Sequence, residues 1–126
     1  MADPRKYIST NGLTILVGRN SKDNNHLTLK VAKQEDVFFH ASSFAGSHVI
    51  LQISEGLFLA REDLMDAACL AAHFSKGRDK KAVHVDYTER RNVSKPRKAP
   101  MGLVELSKFK TLKVKKSDRR ISKYIG

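Results

Sequence analysis

At 126 residues the chain is long enough to bury one real core and too short for two domains, and its 40% hydrophobic and 29% charged residues suit a soluble globular protein. The net charge of +11 is lopsided: residues 1–75 carry 7 Lys/Arg against 8 Asp/Glu, while residues 76–126 carry 17 against 5. That imbalance points to a polyanionic partner, most often nucleic acid. No apolar run nears the roughly 18 residues of a membrane span, and no signal-peptide core, basic amphipathic helix or lipidation box is present, so a membrane partner is not expected.

Along the chain, Tyr7-Ile8-Ser9-Thr10 and Leu13-Thr14-Ile15-Leu16-Val17 flank Asn11-Gly12, a pair that favours a type I′ hairpin turn because both positions accept positive φ. Ser21-Lys22-Asp23-Asn24-Asn25 offers capping side chains for a short helix near 22–32, with Leu27, Val31 and Leu29 as inward candidates. Val37-Phe38-Phe39-His40-Ala41 and His48-Val49-Ile50-Leu51-Gln52-Ile53 read as strands joined by Ser42-Ser43-Phe44-Ala45-Gly46. If that five-residue loop closes an antiparallel hairpin, Ala41 faces Ser47 and His40 faces His48, roughly 4.5–5.5 Å apart. A slip of one residue sets Ser47 against His40 instead.

From Arg61 to Lys76, Leu64, Ala67, Ala68, Ala71 and Phe74 recur at three- and four-residue steps, with acids early and Gly77 just beyond, which predicts the principal amphipathic helix over 61–76. Val83-His84-Val85-Asp86-Tyr87-Thr88 alternates as a strand, residues 90–100 form a proline-punctuated basic loop, and Leu112 and Val114 alternate with Lys113 and Lys115 in a late strand. The expectation is an α+β fold, mostly antiparallel hairpins. Residues 1–116 form a single domain and 117–126 a basic tail that is frayed or a short helix.

Three polar clusters attached to apolar runs carry the chemistry: Arg19-Asn20, Asp36-x-x-x-His40 and Gly46-Ser47-His48. Opposed imidazoles can serve as a general acid and base in metal-independent RNA cleavage, but the favoured reading is that both donate hydrogen bonds to phosphate or to neighbouring backbone. Asp36 lies about 13 Å along the strand from His40, so the two make no dyad, and Asp36 either caps the strand entrance or fixes Arg19. Arg19 and Asn20 suit a phosphate or base-edge contact, the alternative being an Arg19–Asp36 ion pair with Asn20 as a helix cap. Arg90, Arg91, Lys95, Arg97 and Lys98 form a stiffened cationic segment with phosphate as its natural ligand, and Tyr87 and Phe38 are candidates to stack on bases, with core burial the expected fate of Phe38. His26, His40, His48, His73 and His84 show no metal-binding spacing, there is no C-x-x-C or phosphate loop, and no metal or cofactor is expected. The lone Cys69 reads as a small core residue, in keeping with a reducing, cytoplasmic setting.

Taken in order, Val17-Gly18-Arg19-Asn20, Asn24-Asn25-x-Leu27, Asp36-Val37-Phe38-Phe39-His40-Ala41, Gly46-Ser47-His48-Val49, Ala67-Ala68 with Ser75, Tyr87-Thr88, and Val93-Ser94-Lys95-Pro96 before Gly102 resemble the NFACT-R domain over about residues 7–115. The resemblance implies RNA binding. In the larger NFACT proteins, which include the NEMF-like ribosome quality-control factors, it implies binding to obstructed large ribosomal subunits and tRNA. Tail synthesis is not carried over, because the amino-terminal domain, helix-hairpin-helix segment and coiled coil of those proteins have no counterpart in these residues. Stand-alone copies of the domain suggest tRNA biology, including thiolation.

The reading is a non-catalytic binder of structured RNA, tRNA or large-subunit rRNA, with the large ribosomal subunit as a further partner. Recognition falls to Arg19, Asn20, Asp36, His40, Ser47 and His48, and affinity to Arg90, Arg91, Lys95, Arg97, Lys98, Lys113 and Lys115. The alternatives are an RNA-processing enzyme or tRNA-modification subunit using His40 and His48, and a ribosome-associated structural protein.

Overall fold

The structure is a computed structural model and describes residues 3–54 and 59–125. Among the described residues, eight strands form in chain order: β1 Arg5–Ile8, β2 Thr14–Val17, β3 Val37–Ala41, β4 Val49–Leu51, β5 Ala82–Glu89, β6 Val93–Ser94, β7 Glu105–Leu106 and β8 Lys110–Lys115. Six of them make one antiparallel sheet in the order β1-β2-β4-β3-β5-β8, and β6 pairs with β7 as a separate ribbon. Helices α1 (Ser21–His26), α2 (Arg61–His73) and α3 (Arg119–Ile125) complete an α+β fold.

Alternation along the strands builds two cores on opposite faces of the sheet. Ile15, Val17, Val37, Phe39, Val49, Leu51, Val83, Val85 and Val114 point to α2, whose Ala67, Ala68, Ala71 and Ala72 bring the helix axis close to the strands. Leu16, Phe38 and Ile50 point the other way and meet Leu27, Val93, Val104 and Leu106. Cys69 is buried in the α2 core; burial, then the neighbouring Asp118, pushes its thiol up to about 12, so it behaves as a small apolar side chain.

The first hairpin differs from its expected turn. Only Gly12 has positive φ (+88°), so the turn is not type I′. Gly12 N–H donates to Ser9 O at 3.0 Å and Ser9 N–H to Leu13 O at 2.7 Å, a three-residue Thr10-Asn11-Gly12 loop with glycine in the left-handed position. The cause lies in α2: Asp66 accepts from the Thr10 N–H and hydroxyl, both at 2.6 Å, and Asp63 from the Asn11 N–H at 2.9 Å. Burial alone would raise the Asp63 carboxyl, but the hydrogen bonds, led by the Asn11 N–H, hold it below its ordinary range.

Helix α1 runs into a π-helical turn, Leu27–Val31, which places Leu27 and Thr28 inward and leaves Val31 41% exposed, against the expectation for that residue. Helix α2 ends at His73, short of the expected Lys76, because the following chain turns to pair with residues 45–47. β4 ends at Leu51, short of the expected Ile53, whose N–H goes to Asp36 Oδ1. The basic loop at 90–100 holds a 3₁₀ turn, Arg90–Asn92, and β6. The stretch expected as a basic tail contains α3, which packs on α2 through Ile121 and Tyr124, with the Tyr124 hydroxyl donating to Ile8 O at 2.9 Å. Among the described residues, no helix is long and apolar enough to cross a membrane.

Gly18 approaches α1 so closely that a Cβ there would lie 1.9 Å from Asn24 Oδ1. Gly18→Ala should therefore cost about 1–3 kcal/mol, read as a lowered urea midpoint at unchanged slope. An unchanged midpoint would contradict this packing.

Candidate nucleic-acid interface

Two of the three sequence clusters converge at one end of the sheet, where β2 and β3 finish and β4 begins. Leaving β2, Gly18 N–H donates to His48 O at 3.0 Å, and Asn20 caps α1 by accepting the Asp23 N–H at 2.9 Å. Across from them, Ser47 N–H donates to Phe74 O at 3.0 Å, Lys76 N–H donates to Ala45 O at 2.8 Å, and Gly46 bridges Ser75. A Cβ at Gly46 would stand 2.8 Å from the Ser75 Cβ, so glycine is what lets these segments meet.

The result is an open groove of about 640 Å³ lined by Arg19, Asn20, Ser47, Ser75, Lys76 and Arg78, among others. Arg19, Lys76 and Arg78 are exposed cations there, against one acid, Asp79. Arg19 spends its Nε on Asp3 O at 2.7 Å, and its terminal nitrogens, without a partner among the described residues, can fork toward an anion. A smaller depression shares Arg78 and Asp79 and adds Lys80 and Lys116, so the positive rim continues around this end. Lys76 and Arg78 were not singled out from the sequence; the signal for them is a cation pair just past the C-terminus of α2, where positive charge complements the helix dipole.

Asp36 does not join this end. It is buried at the opposite end of β3, its carboxylate accepting the Lys33 N–H at 2.8 Å and the Ile53 N–H at 2.9 Å. It caps the strand entrance and pairs with no arginine, which removes it from the recognition residues.

The β3–β4 register, Val37↔Leu51 to Phe39↔Val49, continues to set His40 against His48, whose rings meet edge-on at 5.6 Å. His48 is 1% exposed. Its Nε2 lies 3.0 Å from Gly102 O, which can only accept, so Nε2 carries the proton and Nδ1 accepts from the Thr28 hydroxyl at 2.8 Å. Burial, then the adjacent His40, lowers its pKa to about 4. With both ring nitrogens committed, His48 offers nothing to a phosphate or an acid–base pair, a correction to both roles expected for it. His40 is half-buried and also lowered, chiefly by burial, although Ala41, Gly46 and Asp86 oppose the shift.

The remaining cations divide. Arg90 is an internal clamp, its Nε donating to Thr28 O and its Nη1 to Val93 O at 2.9 Å, and Arg91 pairs with Glu89 at 3.0 Å. Both sit at the far end of the sheet from the groove. Lys95, Arg97 and Lys98 are exposed on the loop that leads to Gly102, which packs against Ser21 at the groove edge. Lys113 and Lys115 are exposed on β8, opposite His84 and Ala82. Phe38 is 1% exposed and Tyr87 stacks on Phe39 at 5.7 Å, so Phe38 is core and Tyr87 is half-occupied by packing. Among the described residues, no three His, Cys, Asp or Glu side chains gather as metal ligands.

A model of the NFACT protein RNA binding domain matches residues 4–107. Rqc2 homolog RqcH of Bacillus subtilis (strain 168) is 46% identical over 98 residues, covering 78% of this chain and 17% of that protein. RqcH of Streptococcus suis (strain 05ZYH33) is 41% identical over 119 residues, covering 94% of this chain and 21% of that protein. The solved C-terminal part of a fibronectin/fibrinogen-binding protein from Streptococcus suis matches with a TM-score of 0.87 at 38% identity, covering 98% of this chain and 49% of the other. The chain thus spans about a fifth of the length of these curated relatives.

The buried imidazole predicts how stability responds to acid. Because the folded pKa is depressed to about 4 from 6.5, the stabilisation is complete above pH 6.5 and is lost as pH falls toward 4. The loss should reach about 3 kcal/mol in urea titrations at successive pH values. The His48 ring resonances should stay in the neutral form down to about pH 5; a midpoint near 6.5 would contradict the assignment.

Proposed function

We propose that this chain, which belongs to the NFACT protein RNA-binding domain family, works as a non-catalytic binder of structured RNA. The observation that carries the reading is the convergence of Arg19, Ser47, Lys76 and Arg78 on one open groove, from three separated segments of the chain. Phosphate is the ligand that such a set suits: a guanidinium fork, two further cations and a hydroxyl, in a concavity wide enough for a backbone.

In this reading Arg19, Ser47, Lys76 and Arg78 fix the position of the RNA, and Asn20 holds α1 in place beside them. Lys95, Arg97, Lys98, Lys113 and Lys115 add sequence-tolerant attraction. The resemblance to ribosome quality-control factors, and the relatives named as Rqc2 homologues, favour tRNA or large-subunit rRNA as the ligand, in the cytoplasm and in contact with the large ribosomal subunit. The commitment of both His48 nitrogens favours binding over cleavage, since His40 then has no imidazole partner.

Affinity for a tRNA transcript, measured from about 50 to 200 mM salt, should fall steeply with salt concentration. Arg19→Ala, Lys76→Ala and Arg78→Ala should each shallow the log–log slope by roughly one unit, and Arg91→Ala should leave it unchanged. The RNA should be recovered uncut. An affinity insensitive to salt, or a slope that responds to Arg91 and not to the groove cations, would refute the reading.

A further inference from the structure

On the sheet face opposite α2, a row of side chains runs from His48, just before β4, to His40 on β3, Asp86 on β5 and Thr111 on β8, with His40 registered against Asp86 and Asp86 against Thr111. Over this row lies a cavity of about 260 Å³, walled by Phe38, Leu103, Val104, Leu106 and Phe109. That volume is below the roughly 300–1,000 Å³ of sites for drug-sized ligands and suits one flat ring system. Leu103 and Phe109 line it while remaining 53% and 54% exposed, large apolar surface left uncovered by the fold.

Asp86 gives the cavity its polarity. Its Oδ1 accepts from the Ser42 hydroxyl at 2.7 Å and the Thr111 hydroxyl at 2.8 Å, while Oδ2 has no hydrogen-bond partner among the described residues. Asp79, Glu89 and Asp118 each face a cation, whereas Asp86 is oriented by two neutral hydroxyls and forms no ion pair among the described residues. A carboxylate held this way repels phosphate and attracts N–H donors.

Resting on the RNA-binding reading, we infer that this cavity receives one unpaired base that carries an exocyclic amino group, stacked against Phe109 and Leu103, with its donor edge on Asp86 Oδ2. Guanine is the best match, because its ring N–H and amino group lie side by side; cytosine and adenine offer the amino group alone, and uracil has none. Unpaired bases are read in this manner, by an apolar or aromatic surface and an edge contact. Gly102 at the cavity packs against Ser21 at the groove, and the His48 N–H donates to Asn24 of the groove wall, so a strand with its phosphate in the groove can turn a base over the sheet end into the cavity.

The test is a titration of isotopically labelled protein with each of the four ribonucleoside monophosphates, followed by NMR. GMP should shift the resonances of His40, Leu103 and Phe109, and should bind at least about fivefold tighter than UMP, the lower end expected of a paired edge contact. Asp86→Asn, which retains an oxygen for the Ser42 and Thr111 hydroxyls, should abolish that preference and leave the salt slope for tRNA unchanged. Equal binding of GMP and UMP, shifts confined to Arg19, Lys76 and Arg78, or occupancy of the cavity only by a lysine- or arginine-bearing peptide would overturn the base site while leaving the groove standing. Wild-type protein that binds no structured RNA at low salt would overturn both.

Discussion

A neutral imidazole buried among four segments of chain holds the polar end of this molecule together. The His48 N–H goes to Asn24 of α1, its carbonyl takes the Gly18 N–H, its Nδ1 takes the Thr28 hydroxyl, and its Nε2–H reaches Gly102 in the loop between β6 and β7. Three of the segments so held lead into the residues proposed to contact RNA. Gly18 leads into Arg19 and Asn20, Ser47 precedes the histidine itself, and Gly102 anchors the loop that bears Lys95, Arg97 and Lys98. The π-helical turn makes sense in this light: it turns Thr28 beneath the ring, at the cost of a less regular helix. Because every donor and acceptor of the buried ring is matched, the site is rigid without an ion pair.

Charge is distributed around that frame with a direction. Asp63 in the first turn of α2 and Asp66 in the second accept from the first hairpin, Asp66 also facing Arg120 at 3.6 Å, while Lys76 and Arg78 sit past the end of the helix. The helix dipole therefore supports both sets, and the cationic end of the molecule coincides with the groove. At the other end Arg90 is tied to two backbone carbonyls and Arg91 pairs with Glu89.

Period-two and period-3.6 patterns made the α+β fold, β3, β5, β8, α2 and the β3–β4 register legible in the sequence, because burial on one face leaves little freedom in where Val, Ile and Phe go. What was illegible was set by partners distant in sequence. Asn11-Gly12 follows its local preference for a I′ turn until Asp63 and Asp66, more than 50 residues away, claim the N–H groups of the loop. His40 and His48 look equivalent on opposed strands, yet Thr28 and Gly102 bury one of them and leave the other half-open. Asp36 reads as a strand cap or a partner of Arg19 that also serves recognition, and the N–H groups of Lys33 and Ile53 leave only the cap. Lys76 and Arg78 belong to no motif of their own; they become part of the site only because residues 74–76 pair with residues 45–47.

The central claim is that RNA is held at the Gly18–Asn20, Gly46–Ser47 and Lys76–Arg78 end of the sheet. Ultraviolet crosslinking of the protein to tRNA, with peptides identified by mass spectrometry, tests it most directly. Crosslinks concentrated in the peptides that carry Arg19, Ser47 and Lys76 are the expected result. Crosslinks concentrated instead around Arg90 and Arg91, at the opposite end, would contradict the account.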